Sequence, residues 1–222
     1  MFAYYIYMFI NKIFIVFAFL YCGLTSCFHR HIQPRYLVLC KSNVPDIELP
    51  FLDSQDKRML AAGEMIEKQY RNGSRGTGLV VVDIHFSPNV VFDTLTQFSR
   101  YQNMIPIVRS SKIRNSDGVT TMVEYVFARF FLHVNVKHTV LQQQRVVRFT
   151  LDPNRVNPVF REAEGFWHVQ IPSDRPDGYC RVYLSGQIVT REIVPAPIIE
   201  YAATRTLSKA TKWLKPFFSK KE

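Results

Sequence analysis

The fold of this chain is decided by residues 81–108, which have the sequence VVDIHFSPNVVFDTLTQFSRYQNMIPIV. Apolar Val82, Ile84 and Phe86 alternate with polar residues, which is the period-two pattern of a β-strand with one buried face. Ser87-Pro88 then supplies the residue types typical of a helix N-cap and first helical position. The segment predicts a strand followed by two short helices, which are too brief to be stable unless they pack against a larger element.

Downstream of this segment the pattern predicts one strand after another. Turn signals such as Ser116-Asp117-Gly118 separate the apolar runs by the lengths that hairpins need. The six predicted strands span 107–115, 119–128, 131–141, 145–151, 164–171 and 179–189. Together with a first strand at 79–87, these short connections predict a curved, seven-stranded antiparallel sheet.

The chain then predicts a long amphipathic helix near its C-terminus. Tyr201, Leu207, Trp213 and Phe217 mark an apolar stripe at helical spacing, and the helix is predicted to end at Lys215-Pro216. A long helix against a curved sheet encloses an interior that side chains need not fill. The predicted class is therefore α+β: a seven-stranded antiparallel sheet wrapped around a long C-terminal helix, with two short helices after the first strand.

The N-terminal part of the chain has the composition of a targeting leader. Residues 1–24 contain no acid and one base, Lys12. A short apolar core followed by small residues predicts a cleaved signal peptide over 1–27, with a membrane anchor formed by 1–22 as the alternative. The basic sequence that follows, which is free of acids as far as Pro45, predicts a transit-like segment and linker over 28–52.

This leader resembles the bipartite leader of algae whose plastids are of red-algal descent. The expected location is therefore a plastid, and the alternatives are the secretory pathway with the ER lumen, or retention in a membrane. The leader also explains part of the net charge of +10, because residues 1–45 hold four bases and no acid. The remaining +6 is too small for a nucleic-acid footprint, so no nucleic-acid partner is predicted.

A helical extension is predicted between the leader and the sheet. Met59, Leu60, Met65 and Ile66 recur at roughly helical spacing, and Asp53 or Ser54 can cap the helix. Asn72-Gly73 is interpreted as the end of this helix. The predicted organisation is thus a helical extension over 53–73 and a ligand-binding domain over 74–222.

The order and local sequence of these elements resemble a known superfamily. The resemblance is carried by residues 81–108, by EGFWHV (164–169), by YCRVYLSGQI (179–188) and by LSKATKWLKPFF (207–218). Over 79–218 the chain resembles the helix-grip (SRPBCC) superfamily of START-like and polyketide cyclase/dehydrase-like proteins, nearest the coenzyme Q-binding START-like proteins. The resemblance implies that a cavity between sheet and long helix binds a hydrophobic small molecule, such as a lipid or quinone, for binding or transfer.

Strand alternation then nominates the side chains that would face this cavity. Tyr125, Trp167 and Tyr201 each combine an apolar ring with a polar group that needs a partner when buried. Arg129 would share the Tyr125 face and meet a ligand headgroup. The candidate ligand-binding residues are Tyr125, Phe127, Arg129, Phe149, Trp167, Leu184 and Tyr201, and core packing is the alternative interpretation for each.

No metal, cofactor or catalytic residue is predicted. The cysteines show no ligand spacing, and His133 and His138, five apart on one strand, fall on opposite faces. Because the inward faces are almost purely apolar, the sequence favours binding over catalysis. A cyclase- or dehydratase-like enzyme acting on an apolar or polyketide substrate in the same cavity is the alternative.

One further partner is suggested by the basic C-terminal end. Its lysines and aromatic residues favour peripheral contact with an anionic membrane. They are Lys209, Lys212, Lys215, Lys220 and Lys221, beside Trp213, Phe217 and Phe218. A solvated helix end is the alternative interpretation. The sequence carries no signal for an oligomeric state.

Overall fold

An antiparallel sheet of eight strands dominates the computed structural model, which describes residues 39–41, 47–127, 132–192, 194 and 210–219. The strands are β3 (Met65–Asn72), β4 (Arg75–His85), β5 (Val108–Ser116), β6 (Thr120–Phe127), β7 (Leu132–Leu141), β8 (Val146–Leu151), β9 (Phe160–Gln170) and β10 (Tyr179–Thr190). Their order across the sheet is β3-β4-β10-β9-β8-β7-β6-β5. The described residues all fall within a compact unit that spans Leu37–Glu222.

Short elements surround the sheet. The helices are α1 (Ser54–Ala61), α2 (Pro88–Leu95), α3 (Tyr101–Met104) and α4 (Leu214–Ser219), with a 3₁₀ turn at Phe98–Arg100, and a small separate sheet pairs β1 (Leu39–Lys41) with β2 (Glu48–Pro50). The predicted α+β class and the two short helices after a strand are confirmed. The main sheet has eight described strands where seven were predicted, because β3 lies in the segment predicted to be helical.

Side-chain alternation divides the sheet into an inner and an outer face. The inner face carries the main core, in which Val82, Val182 and Trp167 pack with Phe92 of α2 and Leu214 of α4. Most predicted inward positions are confirmed, since they are buried here or pack against this core. Ile171 is an exception, because β9 ends at Gln170 and the Ile171 side chain is 66% exposed.

The outer face around β4 and β10 is covered by the segment that precedes the sheet. Leu52 and Leu60 pack against Val81 and Tyr183, which point away from the inner face. The segment predicted to be a linker over 28–52 therefore contributes side chains to a second core. This coverage explains why β4 buries consecutive residues from Leu79 to Ile84, rather than alternate ones.

A buried ion pair joins the adjacent strands β4 and β10 on the outer face. The Arg181 guanidinium donates two hydrogen bonds to the Asp83 carboxylate, at 2.7 and 2.9 Å, and contacts Asp174 at 3.0 Å. Arg175 approaches the same carboxylate at 3.4 Å, and its guanidinium lies 4.2 Å from the centre of the Tyr179 ring. The paired geometry compensates for removing these charges from water.

The extension over 53–73 is a helix only in its first half. Asp53 caps α1, as predicted, by accepting hydrogen bonds from the backbone amides of Gln55 and Asp56. The helix then ends at Gly63, whose φ of +79° is the left-handed conformation that follows many helix C-termini. The residues from Met65 form β3, which ends at Asn72, and Gly73-Ser74 is the turn of the β3–β4 hairpin, so Asn72-Gly73 is not a helix end.

The C-terminal helix is described only in its last part. The prediction that it ends at Lys215-Pro216 is wrong, because α4 runs from Leu214 to Ser219. Pro216 is tolerated since it lies in the first turn, where backbone amides have no helical partner. Just before α4, residues 210–211 are helical and 212–213 form a turn, and the predicted helix before residue 210 lies outside the described residues.

The predicted leader over 1–27 also lies outside the described residues, so the plastid location stays a prediction. Among the residues that are described, no helix is both long and apolar enough to cross a membrane.

Two glycines let an aromatic ring lie on the inner face. Gly165 of β9 pairs with Gly186 of β10, and the tip of the Phe149 ring sits over both. A Cβ atom on Gly165 would come within 2.5 Å of the Phe149 ring and 2.7 Å of Gly186 Cα. Gly165 is therefore required by close approach, not by backbone conformation, whereas a Cβ atom on Gly186 would come no nearer than 3.4 Å to its neighbours.

We expect Gly165→Ala to lower the free energy of unfolding by about 1–3 kcal/mol, because strand and ring must separate to accept the methyl group. Gly76→Ala on the same face is the matched control, since its nearest contact is an ordinary 3.5 Å to Ile188. Urea denaturation of both variants checks the prediction. Equal stability of the two variants would contradict it.

Candidate functional site

Five of the seven candidate residues lie together on the inner face. Tyr125 and Phe127 are on β6, Phe149 is on β8, Trp167 is on β9 and Leu184 is on β10. The register places Leu184 directly opposite Trp167. The other two candidates, Arg129 and Tyr201, lie outside the described residues, so the structure does not bear on them.

The five described candidates differ in exposure. Trp167 and Leu184 are 5% and 7% exposed and belong to the main core, which matches the packing alternative. Phe127 and Phe149 are half-buried and pack only partly against this core. These two side chains are therefore the better candidates for contact with a ligand.

Half-buried apolar side chains continue across the inner face as one patch. Val136 pairs with Leu151, and Ala163 pairs with Ile188, on either side of the Phe149 ring. We call this set the apolar patch; its members are Phe127, Val136, Phe149, Leu151, Ala163 and Ile188. Partly exposed apolar side chains that adjoin one another are typical of a binding surface.

A buried polar pair adjoins the apolar patch. The Tyr125 hydroxyl and His138 Nε2 are hydrogen-bonded at 2.9 Å, and the two side chains are 4% and 3% exposed. The His138 ring stacks on Phe98 at a centroid distance of 4.1 Å and lies 6.4 Å from the Phe149 ring. Within the described part of the chain, His138 Nδ1 has no hydrogen-bond partner.

Burial keeps both members of the pair uncharged. It lowers the pKa of His138 from 6.5 to about 3, since the imidazolium form loses its hydration there. Burial, and to a lesser degree the neighbouring Tyr101, raises the pKa of Tyr125 well above its ordinary value. At neutral pH the pair is therefore a neutral imidazole bonded to a neutral phenol.

Nearby buried hydroxyls have their hydrogen bonds satisfied by the protein. The Tyr101 hydroxyl donates to the Leu95 carbonyl at 2.6 Å, and the Ser111 hydroxyl donates to the Phe98 carbonyl. Thr94 donates to the carbonyl of Val90 at 2.8 Å. The unpartnered nitrogen of His138 thus stands out on the inner face.

His138 is a site residue that the sequence analysis did not nominate. The signal was present, because alternation along β7 places His138 on the same face as Val136. The predicted opposite placement of His133 agrees with the structure, in which His133 is exposed and contacts Glu124 at 3.1 Å. The sequence signal for this site is a single histidine on an otherwise apolar strand face.

Two grooves among the described residues carry both charged and apolar side chains and are not lined by the candidate ligand-binding residues. One, of about 540 Å³, lies along the β8–β9 connection and contains Arg155, Arg161 and Arg191 together with acidic residues. A second, of about 340 Å³, shares Asp152 and Arg155 with the first. Leu151 and Ala163 of the apolar patch border the larger one.

The aromatic residues of the C-terminal end are largely unavailable for membrane contact. Trp213 is 6% exposed and Phe218 is 2% exposed, and both belong to the main core. The Lys215 ammonium donates to the backbone carbonyl of Gly63, which holds it against the protein. Of the predicted basic cluster, Lys212 is exposed, and membrane contact stays a prediction.

No cluster of three or more His, Cys, Asp or Glu side chains that could hold a metal ion occurs among the described residues. Cys180 is a buried free cysteine, and burial raises the pKa of its thiol to about 12.

Comparison with known proteins identifies the family. The family model described as "Polyketide cyclase / dehydrase and lipid transport" matches residues 84–208, more than half of the chain. The chain belongs to this family. The resemblance inferred from the sequence is thereby confirmed at the superfamily level, and the coenzyme Q-binding subtype stays a prediction.

Solved structures share the fold of this polyketide cyclase/dehydrase family member at low sequence identity. The Zhui aromatase/cyclase of a Streptomyces species is 12% identical, covers 71% of this chain and 96% of its own, and has a TM-score of 0.56. A START superfamily protein from Mycobacterium smegmatis is 15% identical. The alignment covers 71% of this chain and 99% of that protein, with a TM-score of 0.51.

A STAR-related lipid transfer protein from Xanthomonas axonopodis is also similar. It is 12% identical, the alignment covers 69% of this chain and 98% of that protein, and the TM-score is 0.52. A search of curated proteins gives no match. At these identities the likeness establishes the helix-grip fold alone.

We expect the two members of the polar pair to be coupled in stability. Tyr125→Phe and His138→Phe each leave one buried polar side chain without its partner and should cost about 1–3 kcal/mol. The double variant removes both polar groups, so it should be more stable than at least one single variant. Urea denaturation of the three variants measures this, and simple additivity of the two costs would contradict the pairing.

We also expect His138 to make stability depend on pH. Between pH 6.5 and about 3 the unfolded chain binds a proton at this residue that the folded chain does not. The free energy of unfolding should therefore fall as the pH drops through this window, by up to about 1.4 kcal/mol per pH unit. Urea denaturation from pH 7 to 4 should show a shallower dependence for His138→Phe, and identical slopes would contradict the buried neutral imidazole.

Proposed function

We propose that this protein binds a hydrophobic small molecule on the inner face of its sheet, as a lipid-binding or lipid-transfer module. The observation that carries the proposal is the apolar patch, whose half-buried side chains include Phe127 and Phe149. Removing such side chains from water would supply the affinity, at about 25 cal/mol per Å² before the cost of ordering the ligand.

The relatives support this class of ligand. The family description includes lipid transport, and one structural neighbour is a STAR-related lipid transfer protein. A lipid, a quinone or a similar uncharged molecule fits the chemistry of the patch, because its described members carry no charged side chain. Membrane contact through the basic C-terminal end would serve loading, and it now depends on lysines such as Lys212 rather than on buried Trp213.

A cyclase- or dehydratase-like activity is the second candidate, and the Tyr125–His138 pair is the observation that favours it. The family description includes cyclases, and a neighbour is an aromatase/cyclase. General acid–base catalysis needs a group whose pKa lies near the working pH. Burial moves the pKa of His138 down to about 3 and that of Tyr125 up, away from that range. Binding is therefore the better supported function.

Native mass spectrometry of the full-length chain purified from cells tests the proposal. We expect a co-purifying apolar molecule, and a several-fold lower occupancy in Phe149→Ala, which removes the central ring of the apolar patch. Phe166→Ala is the matched control, because Phe166 is equally half-buried but packs on the outer face. It should retain the occupancy of the unmodified chain.

Two outcomes would contradict binding as the function. One is an empty chain that also fails to take up added lipid or quinone. The other is an empty chain that converts a polyketide substrate, which would establish the enzymatic candidate instead.

A further inference from the structure

The hydrogen-bonding capacity of the Tyr125–His138 pair can be counted from its chemistry. A neutral imidazole carries one N–H proton and a neutral phenol carries one O–H proton, so the pair holds two donors. The bond between the Tyr125 hydroxyl and His138 Nε2 uses one of them. One donor is therefore left over, on Nδ1 in one tautomer and on the hydroxyl in the other.

No protein group in the described structure accepts this remaining hydrogen bond at Nδ1. A buried donor without an acceptor costs about 1–3 kcal/mol, and buried polar groups are rarely left in that state. The neighbouring hydroxyls of Tyr101 and Ser111 are satisfied by backbone carbonyls, so local packing does provide acceptors where they are needed. Among the described residues, two other buried side-chain nitrogens also have no hydrogen-bond partner, His168 Nδ1 and Arg175 Nε, but neither lies on the inner face. On the inner face His138 Nδ1 is the exception, and an acceptor from outside the protein would satisfy it.

The surroundings of the pair define the molecule that could bring this acceptor. Phe98 covers the imidazole ring by stacking, and Phe149 of the apolar patch lies beside it. Phe127 lies 6.4 Å from Tyr125, on its other side. An atom that reaches the donor must therefore enter an aromatic environment, as the polar end of an otherwise apolar molecule on the patch would do.

We propose that the Tyr125–His138 pair selects, among apolar ligands, those with an uncharged hydrogen-bond acceptor oxygen such as a ketone or quinone carbonyl. This inference rests on the proposed function and specifies the ligand of the same site. The two residues act as a specificity-determining unit, and either one can present the remaining donor. A pure hydrocarbon of the same shape binds more weakly, because it leaves that donor unpaired.

The number of protons on the pair predicts how single and double variants should differ. In Tyr125→Phe the imidazole still holds one N–H donor, and in His138→Phe the phenol still holds its O–H donor. Each single variant therefore keeps a donor on the inner face and should keep part of the preference for a carbonyl. Only the double variant Tyr125→Phe/His138→Phe removes every donor of the pair and should abolish the preference.

The experiment compares two probes of nearly equal shape, 2-acetylnaphthalene and 2-ethylnaphthalene, which differ in one carbonyl oxygen. We expect the full-length chain to bind the ketone about two- to tenfold more tightly than the hydrocarbon, beyond their difference in partition from water into alkane. The double variant should bind both with the ratio that partition alone predicts. Tyr101→Phe is the matched control, since its hydroxyl is already bonded to Leu95, and it should keep the preference.

Infrared spectroscopy gives a second readout that does not require any variant to fold. The carbonyl stretch of bound 2-acetylnaphthalene should lie at a lower frequency than in alkane, because a hydrogen bond weakens the C=O bond. A stretch at the alkane frequency overturns the inference. So does a ketone preference that survives in the double variant.

The outcomes separate this inference from the proposed function. If both probes bind and the corrected ratio is one, the site binds apolar molecules but the pair does not select among them, and the inference is wrong. If neither probe binds and the chain carries no co-purifying apolar molecule, the proposed function itself is wrong. Binding of both probes with the ketone preferred supports both.

Discussion

The central strands bury side chains on both faces, and this two-sided burial constrains the rest of the structure. In β4 the residues from Leu79 to Ile84 alternate between the inner core and the outer core. A shift of one residue in register would exchange the two sets and place Asp83 among the inner apolar side chains. The bidentate pairing of Asp83 with Arg181 holds the register that keeps this carboxylate on the outer face.

The two faces of the sheet have different roles because different segments cover them. Leu52 and Leu60 cover the outer face around Val81 and Tyr183, so that part of the face is committed to packing. On the inner face the helices cover one part, around Trp167, and leave the apolar patch around Phe149 half-buried. Gly165 and Gly186 leave room for the tip of that ring against the strands, which shapes the surface available to a ligand.

The extension before the sheet shows where sequence patterns are ambiguous. The spacing of Met59, Leu60, Met65 and Ile66 suits one helix, but Gly63 ends the helix, and the later residues pair with β4 instead. Asn72-Gly73 is a strong hairpin signal when a strand precedes it, and it was interpreted as a helix end because a helix was assumed to precede it. Strand pairing decides such cases, since the partner lies elsewhere in the chain.

Local patterns alone were sufficient for the fold class, the strand faces and most inner-face residues, because alternation and turn chemistry are properties of neighbours in sequence. Tyr125, Phe127, Phe149, Trp167 and Leu184 were all assigned to one face on this basis. The partner of Tyr125 was not predictable in this way, because His138 lies on another strand and their bond depends on register. The exposure of each side chain was not predictable either, because it depends on which distant segments pack over that side chain. Trp167 is buried in the core, whereas Phe149 is half-buried.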